Sequence, residues 1–322
     1  MSRFVLPFSF LILFNIQLLV FGEKRDAKQL PVKVFILAGQ SNMEGHGLIK
    51  GRPDQKGTLE ELVKNPKTSK KFNQIITASG EWKTRSDVWI SWLDKNGNLT
   101  VGGFAGRGSI GPELGFGWLL GDHLDEPIIL LKFGPGGTSL AGPWRPPSSG
   151  PKDNEPRGDN IGVQYDHLIS KTKEVISNVN KYFPALKGRK LELAGFGWHQ
   201  GWNDGCSMKD SKEYKKNLIN LIKDVRRDLN ANNLPFVIAG SGFGGWDQSI
   251  DRRLMIINSQ KAVTEIPEFK DSTRYVETRG FFRDGSVSPR PIRYHWCCNA
   301  ETYWLIGEGM GQAMIEILKT QS

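Results

Sequence analysis

The 322-residue sequence is poor in several features that mark special classes of protein. It has only three cysteines, too few for a small disulfide-built domain, and it shows no internal repeat. Its net charge is +9, yet no basic run exceeds two residues, so nucleic acid is not an expected partner. The remaining composition, 38% hydrophobic and 24% charged, excludes collagen-like, coiled-coil and disordered chains. The length suits one large domain or two modest ones and leaves the oligomeric state open.

Residues 1–22 have the pattern of a secretory signal peptide. Arg3 supplies a positive start, residues 4–21 are largely apolar, and Gly22 is a small residue just before a charged segment. Two amide side chains and a proline within the apolar run make it a poor membrane anchor. We therefore expect an exported protein, periplasmic or extracellular, with no stable anchor and with a single mature domain over residues 23–322.

The rest of the chain alternates between apolar, β-rich runs and helical patterns. The β-rich runs cover residues 32–37, 127–133, 191–198, 236–239 and 274–277. The helical patterns cover residues 112–123, 160–183, 211–229, 251–266 and 299–318. This alternation predicts an α/β fold in which helices cover both faces of a parallel sheet. Sites in such sheets lie at the carboxyl ends of the strands.

Residues 50–110 interrupt the alternation and are interpreted as an insertion packed on the same domain. They include a predicted hairpin of residues 87–93 and 99–104, with its turn at residues 95–98. Residues 134–160 are rich in glycine, proline and serine, and a loop of this length is usually functional or a linker.

A serine stands directly after the first predicted strand, in the segment Gly39-Gln40-Ser41-Asn42-Met43. A serine at a strand-to-helix turn presents its hydroxyl at the active edge of the sheet, where the helix N-terminus favours negative charge. Met43 replaces the second glycine of G-x-S-x-G, so the α/β-hydrolase elbow is a poor match. Taken alone, Ser41 would more readily be interpreted as an ordinary helix N-cap.

Three further segments are expected at the same edge. They are Gly136-Gly137-Thr138-Ser139-Leu140, Trp198-His199-Gln200-Gly201, and the late Tyr294-His295-Trp296. A serine, glycine N–H groups, an amide side chain and a histidine together provide the nucleophile, oxyanion donors and general base of acyl transfer.

This set of motifs resembles the SGNH-hydrolase superfamily, and within it the sialate O-acetylesterase and acetylxylan-esterase branch. The similarity extends from residue 32 to about residue 318, nearly the whole mature chain. The resemblance implies a three-layer α/β/α, flavodoxin-like fold and the hydrolysis of acetyl esters on carbohydrates without a cofactor. It also implies an acetylated carbohydrate, such as a sialate, a xylan or another glycan, as the substrate.

The resemblance assigns the catalytic pair to Ser41, as nucleophile, and His295, as base. For the oxyanion hole it points to the N–H groups of Ser41 and Gly137 and to the side chain of Gln200. Gly136, one residue earlier, is an alternative to Gly137.

Two of these assignments have rivals. Asn203 competes with Gln200, because Gly201-Trp202-Asn203-Asp204 spells the commoner G-x-N-D of the superfamily; Gln200 is favoured because it lies nearer the strand end. His199 is the other candidate base, although a histidine at a strand end is more often a buried, hydrogen-bonded spacer.

The sequence departs from the family pattern beside the base. Family members commonly hold an aspartate three residues before the catalytic histidine, and here that position is Ile292. A carboxylate usually orients the imidazole, so Glu277 and Asp284 are the nearest candidates for a third triad member. A backbone carbonyl or a Ser–His dyad are the alternatives. The departure also motivates a second hypothesis, a weakly active or inactive carbohydrate-binding protein of the same fold.

The three cysteines fall on loops expected to flank the site. In an oxidising compartment, Cys206 could pair with either Cys297 or Cys298 and tether the two loops, and the other cysteine would stay free. Three reduced cysteines are an equally acceptable interpretation.

The segment Gly106-Arg107-Gly108-Ser109-Ile110-Gly111 matches G-x-G-x-x-G and precedes a helix, which alone would indicate a dinucleotide site. Glu126, the acid about 20 residues on, precedes its strand rather than ending it, which is wrong for a ribose contact. We interpret these glycines as serving loop geometry or substrate approach. A nucleotide-binding protein, the third hypothesis, would bind NAD and lack esterase activity.

The remaining histidines and tryptophans bear on metal and sugar binding. The histidines without an assigned role, which are His46, His123 and His167, lack metal-ligand spacing, so no metal site is predicted. Four tryptophans in or beside the predicted site loops would suit sugar rings, or they would pack under the loops; they are Trp144, Trp202, Trp246 and Trp296. The basic balance would favour an anionic polysaccharide.

Overall fold

The structure is a computed structural model that describes Met1, residues 30–152 and residues 160–321. Apart from Met1, the predicted signal peptide lies outside these residues. The strands are β1 Val32–Gly39, β2 Gly47–Leu48, β3 Thr84–Trp92, β4 Lys95–Thr100, β5 Ser109–Ile110, β6 Ile128–Phe133, β7 Leu191–His199, β8 Phe236–Ala239 and β9 Thr273–Val276.

The helices begin with three short ones and end with the longest. They are α1 Ser41–Glu44, α2 Leu59–Lys64, α3 Ser69–Phe72, α4 Pro112–His123, α5 Val163–Ser177, α6 Val179–Tyr182, α7 Met208–Asp228, α8 Asp251–Thr264 and α9 Ala300–Gln321. Over the described ranges, no helix is both long and apolar enough to cross a bilayer.

Seven strands form one sheet in the order β4-β3-β6-β1-β7-β8-β9, and a two-stranded ladder joins β2 to β5. Neighbours in the large sheet are parallel except for β3 and β4, which form an antiparallel hairpin. The five strands predicted from apolar runs follow the order 2-1-3-4-5 of flavodoxin-like sheets. The predicted α/β fold is confirmed.

Helices cover both faces of the sheet, because successive strand residues point to opposite sides. In β1, Phe35 and Leu37 pack into the core beneath α4 and α9. Val34 and Ile36 face the second core, beneath α5, α7 and α8. Two apolar cores separated by one sheet make the three-layer α/β/α arrangement.

The predicted insertion supplies the edge of the sheet. Strand β3 pairs in parallel with β6, and β4 continues the sheet beyond it. The hairpin turn lies at residues 93–94, not at 95–98, because Trp92 already pairs with Lys95 and Leu93 adopts a left-handed φ of 53°. The predicted helix over 160–183 is also broken: α5 ends before Asn178, whose φ and ψ of −127° and 38° are not helical.

Strand β1 lies between β6 and β7, at the point where the chain changes direction across the sheet. A crevice forms outside the carboxyl ends of the strands at such a point. The loops that follow these three strands carry the serine, glycine and amide motifs found in the sequence.

Candidate active site

Ser41 is the first residue of the four-residue helix α1, two residues after β1 ends. Strand β1 pairs with β7 so closely that a Cβ at Gly39 would collide with the carbonyl oxygen of His199, which explains the glycine. The side chain of Ser41 is 8% exposed. The first N–H groups of a helix have no intrahelical acceptor, so the N–H of Ser41 is free to bind a ligand oxygen.

The structure brings Ser41 and His295 together across 254 residues of sequence. The Oγ of Ser41 lies 3.0 Å from the Nε2 of His295, within hydrogen-bond distance. Burial lowers the pKa of His295 from its ordinary value of 6.5. The neutral imidazole that results is the form able to accept a proton from the hydroxyl.

A turn of unusual backbone follows His295. Trp296, Cys297 and Cys298 have φ values of 51°, 53° and 56°, the left-handed region that residues other than glycine rarely adopt. Each such residue costs about 1–2 kcal/mol. The turn is held by the N–H of Cys297, which donates to the carbonyl of Ile292 at 3.0 Å. Strain of this kind persists where surrounding structure fixes a functional group.

Neither candidate for a third triad member reaches His295. Glu277 binds the guanidinium of Arg279, with 2.6 Å between its Oε2 and the nearest nitrogen. Asp284 accepts the N–H of Ser286 at 2.7 Å. Throughout residues 30–152 and 160–321, no carboxylate forms a hydrogen bond or an ion pair with His295.

His46 is the side chain that accompanies His295 instead. The two imidazole rings are stacked, with 4.0 Å between centroids and 16° between planes. Burial, followed by the charges of His295 and nearby cations, lowers the pKa of His46 to about 4, so it is neutral near pH 7. The sequence did not predict this contact of His46. Its place five residues after Ser41 gave no signal of a contact with a residue 249 positions later.

Gln40, directly before Ser41, holds the loop that follows β7. Its Oε1 accepts hydrogen bonds from the N–H of Gly201 at 3.2 Å and the N–H of Asn203 at 3.3 Å. Its Nε2 donates to the Oδ1 of Asn203 at 3.2 Å. The side chain is 1% exposed, so these bonds fix the loop relative to the nucleophile.

Asn42, directly after Ser41, holds the turn that carries His295. Its Nδ2 donates to the carbonyl oxygen of Tyr294 at 2.9 Å, and its Oδ1 accepts the hydroxyl of Tyr303 at 2.8 Å. The two residues beside Ser41 therefore each position a different loop. The sequence motif contained both residues, but their roles depend on contacts with remote parts of the chain.

The structure does not support Gln200 as an oxyanion donor. Its Nε2 lies within hydrogen-bond distance of the Oε1 of Gln40 at 3.2 Å, the carbonyl of Thr138 at 3.0 Å and Asp204 at 2.6 Å. The side-chain amide has only two hydrogens to donate. Both are used inside the protein, so none is left for an ester oxygen.

Asn203, the rival candidate, is better placed. Its Nδ2 donates one hydrogen to the carbonyl of Gly137 at 2.7 Å, and its second hydrogen has no acceptor in the described part of the chain. Of the two glycines, Gly136 lies against the nucleophile: a Cβ there would be 3.8 Å from the Cβ of Ser41. Gly137 adopts a left-handed φ of 71° and has nothing within 4 Å of the corresponding position.

Asp204 joins the loops that follow β6 and β7. Its carboxylate accepts the N–H groups of Leu140 at 2.9 Å and Ala141 at 2.8 Å, besides the amide of Gln200. Burial raises the pKa of Asp204 to about 6, against the lowering effect of these donors. These bonds tie the two loops to each other.

Lys132, at the end of β6, performs a similar task on the other side of Ser41. Its buried Nζ lies 2.6 Å from the carboxylate of Glu113 and donates to the carbonyls of Glu44 and Phe104. A single ammonium group thus ties the nucleophile turn to helix α4 and to the inserted segment.

Other predicted residues lie outside the catalytic contacts. His199 is buried, with its Nδ1 3.3 Å from the carbonyl of Ala239, and burial lowers its pKa to about 4. The three cysteines are free: Cys206 is exposed, whereas Cys297 and Cys298 are buried. The predicted tether between the loops is therefore not present.

The glycine motif at residues 106–111 packs against the nucleophile turn. Its first glycine donates its N–H to the carbonyl of Gly45 at 3.2 Å, and a Cβ at Gly45 would collide with the Cα of Gly111. The glycines therefore permit close backbone packing. Within the described ranges, no three His, Cys, Asp or Glu side chains are grouped so as to hold a metal ion.

The four tryptophans divide into two pairs. Trp144 and Trp296 are fully buried and belong to the two cores. Trp202 is partly exposed and Trp246 is 65% exposed, so only these two can meet a sugar ring.

Comparison with known proteins places this geometry in context. A protein-family model described as carbohydrate esterase, sialic acid-specific acetylesterase, matches residues 31–281. The match includes Ser41 and Asn203 and ends before His295. A curated relative, a probable carbohydrate esterase of Arabidopsis thaliana, is 24% identical over 234 residues, which are 70% of this chain and 75% of the relative.

Two solved structures share the fold. One, of a protein from Arabidopsis thaliana, gives a TM-score of 0.55 at 18% identity and covers 89% of this chain and 99% of that chain. The other, a carbohydrate acetylesterase from Xanthomonas citri, gives 0.54 at 14% identity and covers 89% of this chain and 57% of that chain. Both support the α/β architecture.

Proposed function

Because the chain belongs to the sialic acid-specific acetylesterase family of carbohydrate esterases, we propose that Ser41 and His295 catalyse removal of acetyl groups from a carbohydrate. The observation that carries this proposal is the 3.0 Å separation of the Ser41 Oγ and the His295 Nε2. A serine hydroxyl is a weak nucleophile unless an adjacent base takes its proton.

In the proposed reaction, the acetyl group is first transferred to Ser41 and the resulting acetyl-enzyme is then hydrolysed. His295 accepts the proton of Ser41 as the Oγ attacks the acetyl carbonyl carbon, and the carbonyl electron pair moves to the oxygen. The N–H groups of Ser41 and Gly136 and the free amide hydrogen of Asn203 are proposed to bind this oxyanion.

The tetrahedral intermediate then collapses, and the acetyl-enzyme that it leaves is hydrolysed. Collapse expels the sugar oxygen, which takes the proton from His295, and leaves an acetyl group on Ser41. Water then attacks the acetyl carbon and gives one proton to His295; the bond from that carbon to the Ser41 Oγ breaks, the Oγ takes the proton back from His295, and the acetyl group leaves as acetic acid, which ionises to acetate. None of these steps requires a group beyond the side chains and N–H groups named.

The identity of the glycan and the location of the protein are also proposals, and they do not rest on the geometry of Ser41 and His295. A sialate, a xylan or another acetylated glycan fits the family. Export rests on residues 1–22, and N-terminal sequencing of the protein recovered outside the cell would test it: a mature chain that still began at Met1 would contradict cleavage.

The central test is acetate release from acetylated xylan, sialic acids and algal glycans by the wild-type protein and by Ser41→Ala. We expect release by the wild type, none by the variant, and a transient acetyl adduct on Ser41 in quenched samples by mass spectrometry. Acetate release by Ser41→Ala equal to that of the wild type would contradict the assignment.

One observation favours a second candidate, a weakly active or inactive carbohydrate-binding protein of the same fold. The described residues place no carboxylate on His295, and a triad without its acid loses much of its rate. Turnover of p-nitrophenyl acetate separates the two: a binding protein would show no turnover above that of Ser41→Ala.

A further inference from the structure

A second concave surface adjoins the catalytic pair on the side of His295. It is a pocket of about 380 Å³ between the loops that follow β7 and β8, helix α8 and the turn that carries His295. Its principal lining residues are Trp202, Phe243, Gln248, Arg253, Arg293 and Tyr294. The lining contains two arginines and no aspartate or glutamate.

Neither arginine has a carboxylate partner. The side chain of Arg253 forms no ion pair or hydrogen bond among the described residues, and its buried Nε is without an acceptor. Arg293 donates one N–H to the carbonyl of Gly244 at 3.2 Å, which leaves most of its five donors unused.

Some other arginines of the described residues do have carboxylate partners. Arg145, Arg279 and Arg283 each form an ion pair with a glutamate at 2.6–2.9 Å. The acids nearest in sequence to the pocket are Asp247, Asp251 and Asp284, and among the described residues none of them forms an ion pair with Arg253 or Arg293. Asp284 is engaged by Ser286, whose hydrogen bonds lower the pKa of its carboxyl, and the charge of Arg293 adds a smaller lowering. The two guanidinium groups therefore remain available to an anion from outside the protein.

Aromatic rings line the path from these arginines to the catalytic pair. The guanidinium carbon of Arg253 lies 4.1 Å from the ring centroid of Trp202. The ring of Trp202 lies 4.9 Å from that of Tyr294, at an angle of 31°, and Tyr294 is 41% exposed. Tyr294 in turn lies 4.6 Å from the ring of His295. Partly exposed aromatic faces of this kind suit the apolar face of a sugar ring.

The chain itself couples the pocket to the reaction. Trp202 directly precedes Asn203, the proposed oxyanion donor, and Tyr294 directly precedes His295. A ligand that contacts Trp202 and Tyr294 therefore lies beside the bond to be cleaved.

We propose that this pocket is an anion subsite, in which Arg253 and Arg293 bind a carboxylate or sulfate group on the glycan that carries the acetyl ester. Guanidinium groups present paired N–H donors that match the oxygens of such anions. The proposal rests on the proposed function only for the position of the ester, and it makes the preferred substrate an acidic glycan.

Binding is measured without turnover, on the Ser41→Ala protein. Calorimetric titration would compare an O-acetylated uronic or sialic acid with its methyl ester, and an O-acetylated, sulfated galactose with its unsulfated form. We expect a preference of at least about tenfold for one charged ligand over its neutral partner. The pair that shows it identifies carboxylate or sulfate.

Arg253→Gln and Arg293→Gln, each in the Ser41→Ala background, should remove most of that preference. Lys261→Gln, which removes one positive charge from the exposed far end of the same helix, is the matched control and should preserve it. Circular dichroism of each variant separates misfolding from loss of the subsite.

Equal affinity for the charged and neutral members of both pairs overturns the proposal, and so does the absence of measurable binding. A preference that survives in both arginine variants also overturns it. Failure of the proposed function is distinct: it would appear as absence of esterase turnover by the wild type, whatever the binding preference of Ser41→Ala.

Discussion

Two amide side chains flank Ser41, and each holds a different half of the site by different means. Gln40 is buried and fixes the loop that carries Asn203 through three hydrogen bonds. It accepts two from backbone N–H groups of the loop and donates one to the side chain of Asn203. Asn42 makes one bond to the turn that carries His295. The rest of that turn's position comes from ring stacking on His46, from its left-handed backbone and from hydrogen bonds within the turn, such as the one from the N–H of Cys297 to the carbonyl of Ile292.

This difference has an energetic consequence. A buried polar group that loses its partner costs about 1–3 kcal/mol, so a hydrogen-bonded loop fails sharply when one member is removed. A stacked ring pair contributes about 0.5–1.5 kcal/mol, so a packed turn shifts gradually. We therefore expect large losses of activity from substitutions in the oxyanion half of the site, which is the loop that carries Asn203. Substitutions in the base half, which is the turn that carries His295, should change activity by smaller steps.

The largest effect should come from the base itself. His295→Ala removes the group that accepts the Ser41 proton, and kcat should fall by roughly 10²–10⁴-fold with p-nitrophenyl acetate. The control is His123→Ala, an exposed histidine at the end of α4. If His295→Ala retained full activity, another residue would be the base, and the turn that carries His295 would not be part of the active site.

The next effect tests the hydrogen-bonded half. Gln40→Ala leaves the N–H groups of Gly201 and Asn203 without their acceptor, and the loop should shift away from Ser41. We expect kcat to fall by about 10²-fold, since a displacement near 1 Å at a catalytic group has that effect. Denaturant unfolding should show a loss of about 1–3 kcal/mol for each group left unsatisfied.

Two variants make this result specific. Gln312→Ala, an exposed glutamine on α9, should change neither kcat nor stability. Asn42→Ala should have a smaller effect than Gln40→Ala, because the turn keeps its stacking and its own backbone bonds. An effect of Asn42→Ala equal to or larger than that of Gln40→Ala would break the proposed contrast.

The pH profile examines the base half without a substitution. His295 must be neutral to accept a proton, and burial lowers its pKa, so kcat/KM should decline only below an apparent pKa under 6.5. On the acid side the decline should approach about tenfold per pH unit. His46, with a pKa of about 4, stays neutral over most of this range. A midpoint above 6.5 would indicate a carboxylate partner that the described residues do not show.

The contrast also separates what the sequence could predict from what it could not. Ser41 and His295 could be predicted from the sequence because each stands in a motif at a strand end or before the last helix, and the structure places them 3.0 Å apart. Gln200 was preferred to Asn203 on its distance from the strand, but its amide hydrogens are consumed by Thr138 and Asp204, contacts that no spacing reveals.

The remaining errors have the same origin in contacts between distant residues. His46 stacks on a residue 249 positions later, and its five-residue distance from Ser41 carries no signal of that contact. The hairpin turn was misplaced because residues 95–98 have the composition of a turn, whereas the pairing of β3 with β6 and β4 sets the register.

A smaller effect should follow from loss of the stacked ring. His46→Ala should lower kcat by up to about tenfold, the equivalent of one aromatic contact, with little change in KM. It should also open His295 to water and raise the apparent pKa of the acid limb towards 6.5. His46→Phe keeps a flat ring and should preserve most of kcat. If His46→Phe were as slow as His46→Ala, a polar role of the imidazole would replace the packing explanation.

The smallest effect should come from introducing the aspartate that members of the family commonly hold three residues before the catalytic histidine. Ile292→Asp places a carboxylate three residues before His295, where it should favour the charged imidazole and raise the pKa of His295 by about one unit. The acid limb of kcat/KM would move upward, and kcat would change little if packing already orients the ring. Ile292→Asn is the neutral control of similar shape.

Ile292 also lines the arginine pocket, so the added charge should weaken binding of acidic glycans in the same variant. A large gain in kcat would mean that His295 is poorly oriented in the native protein, and that His46 and the left-handed turn do not replace a carboxylate.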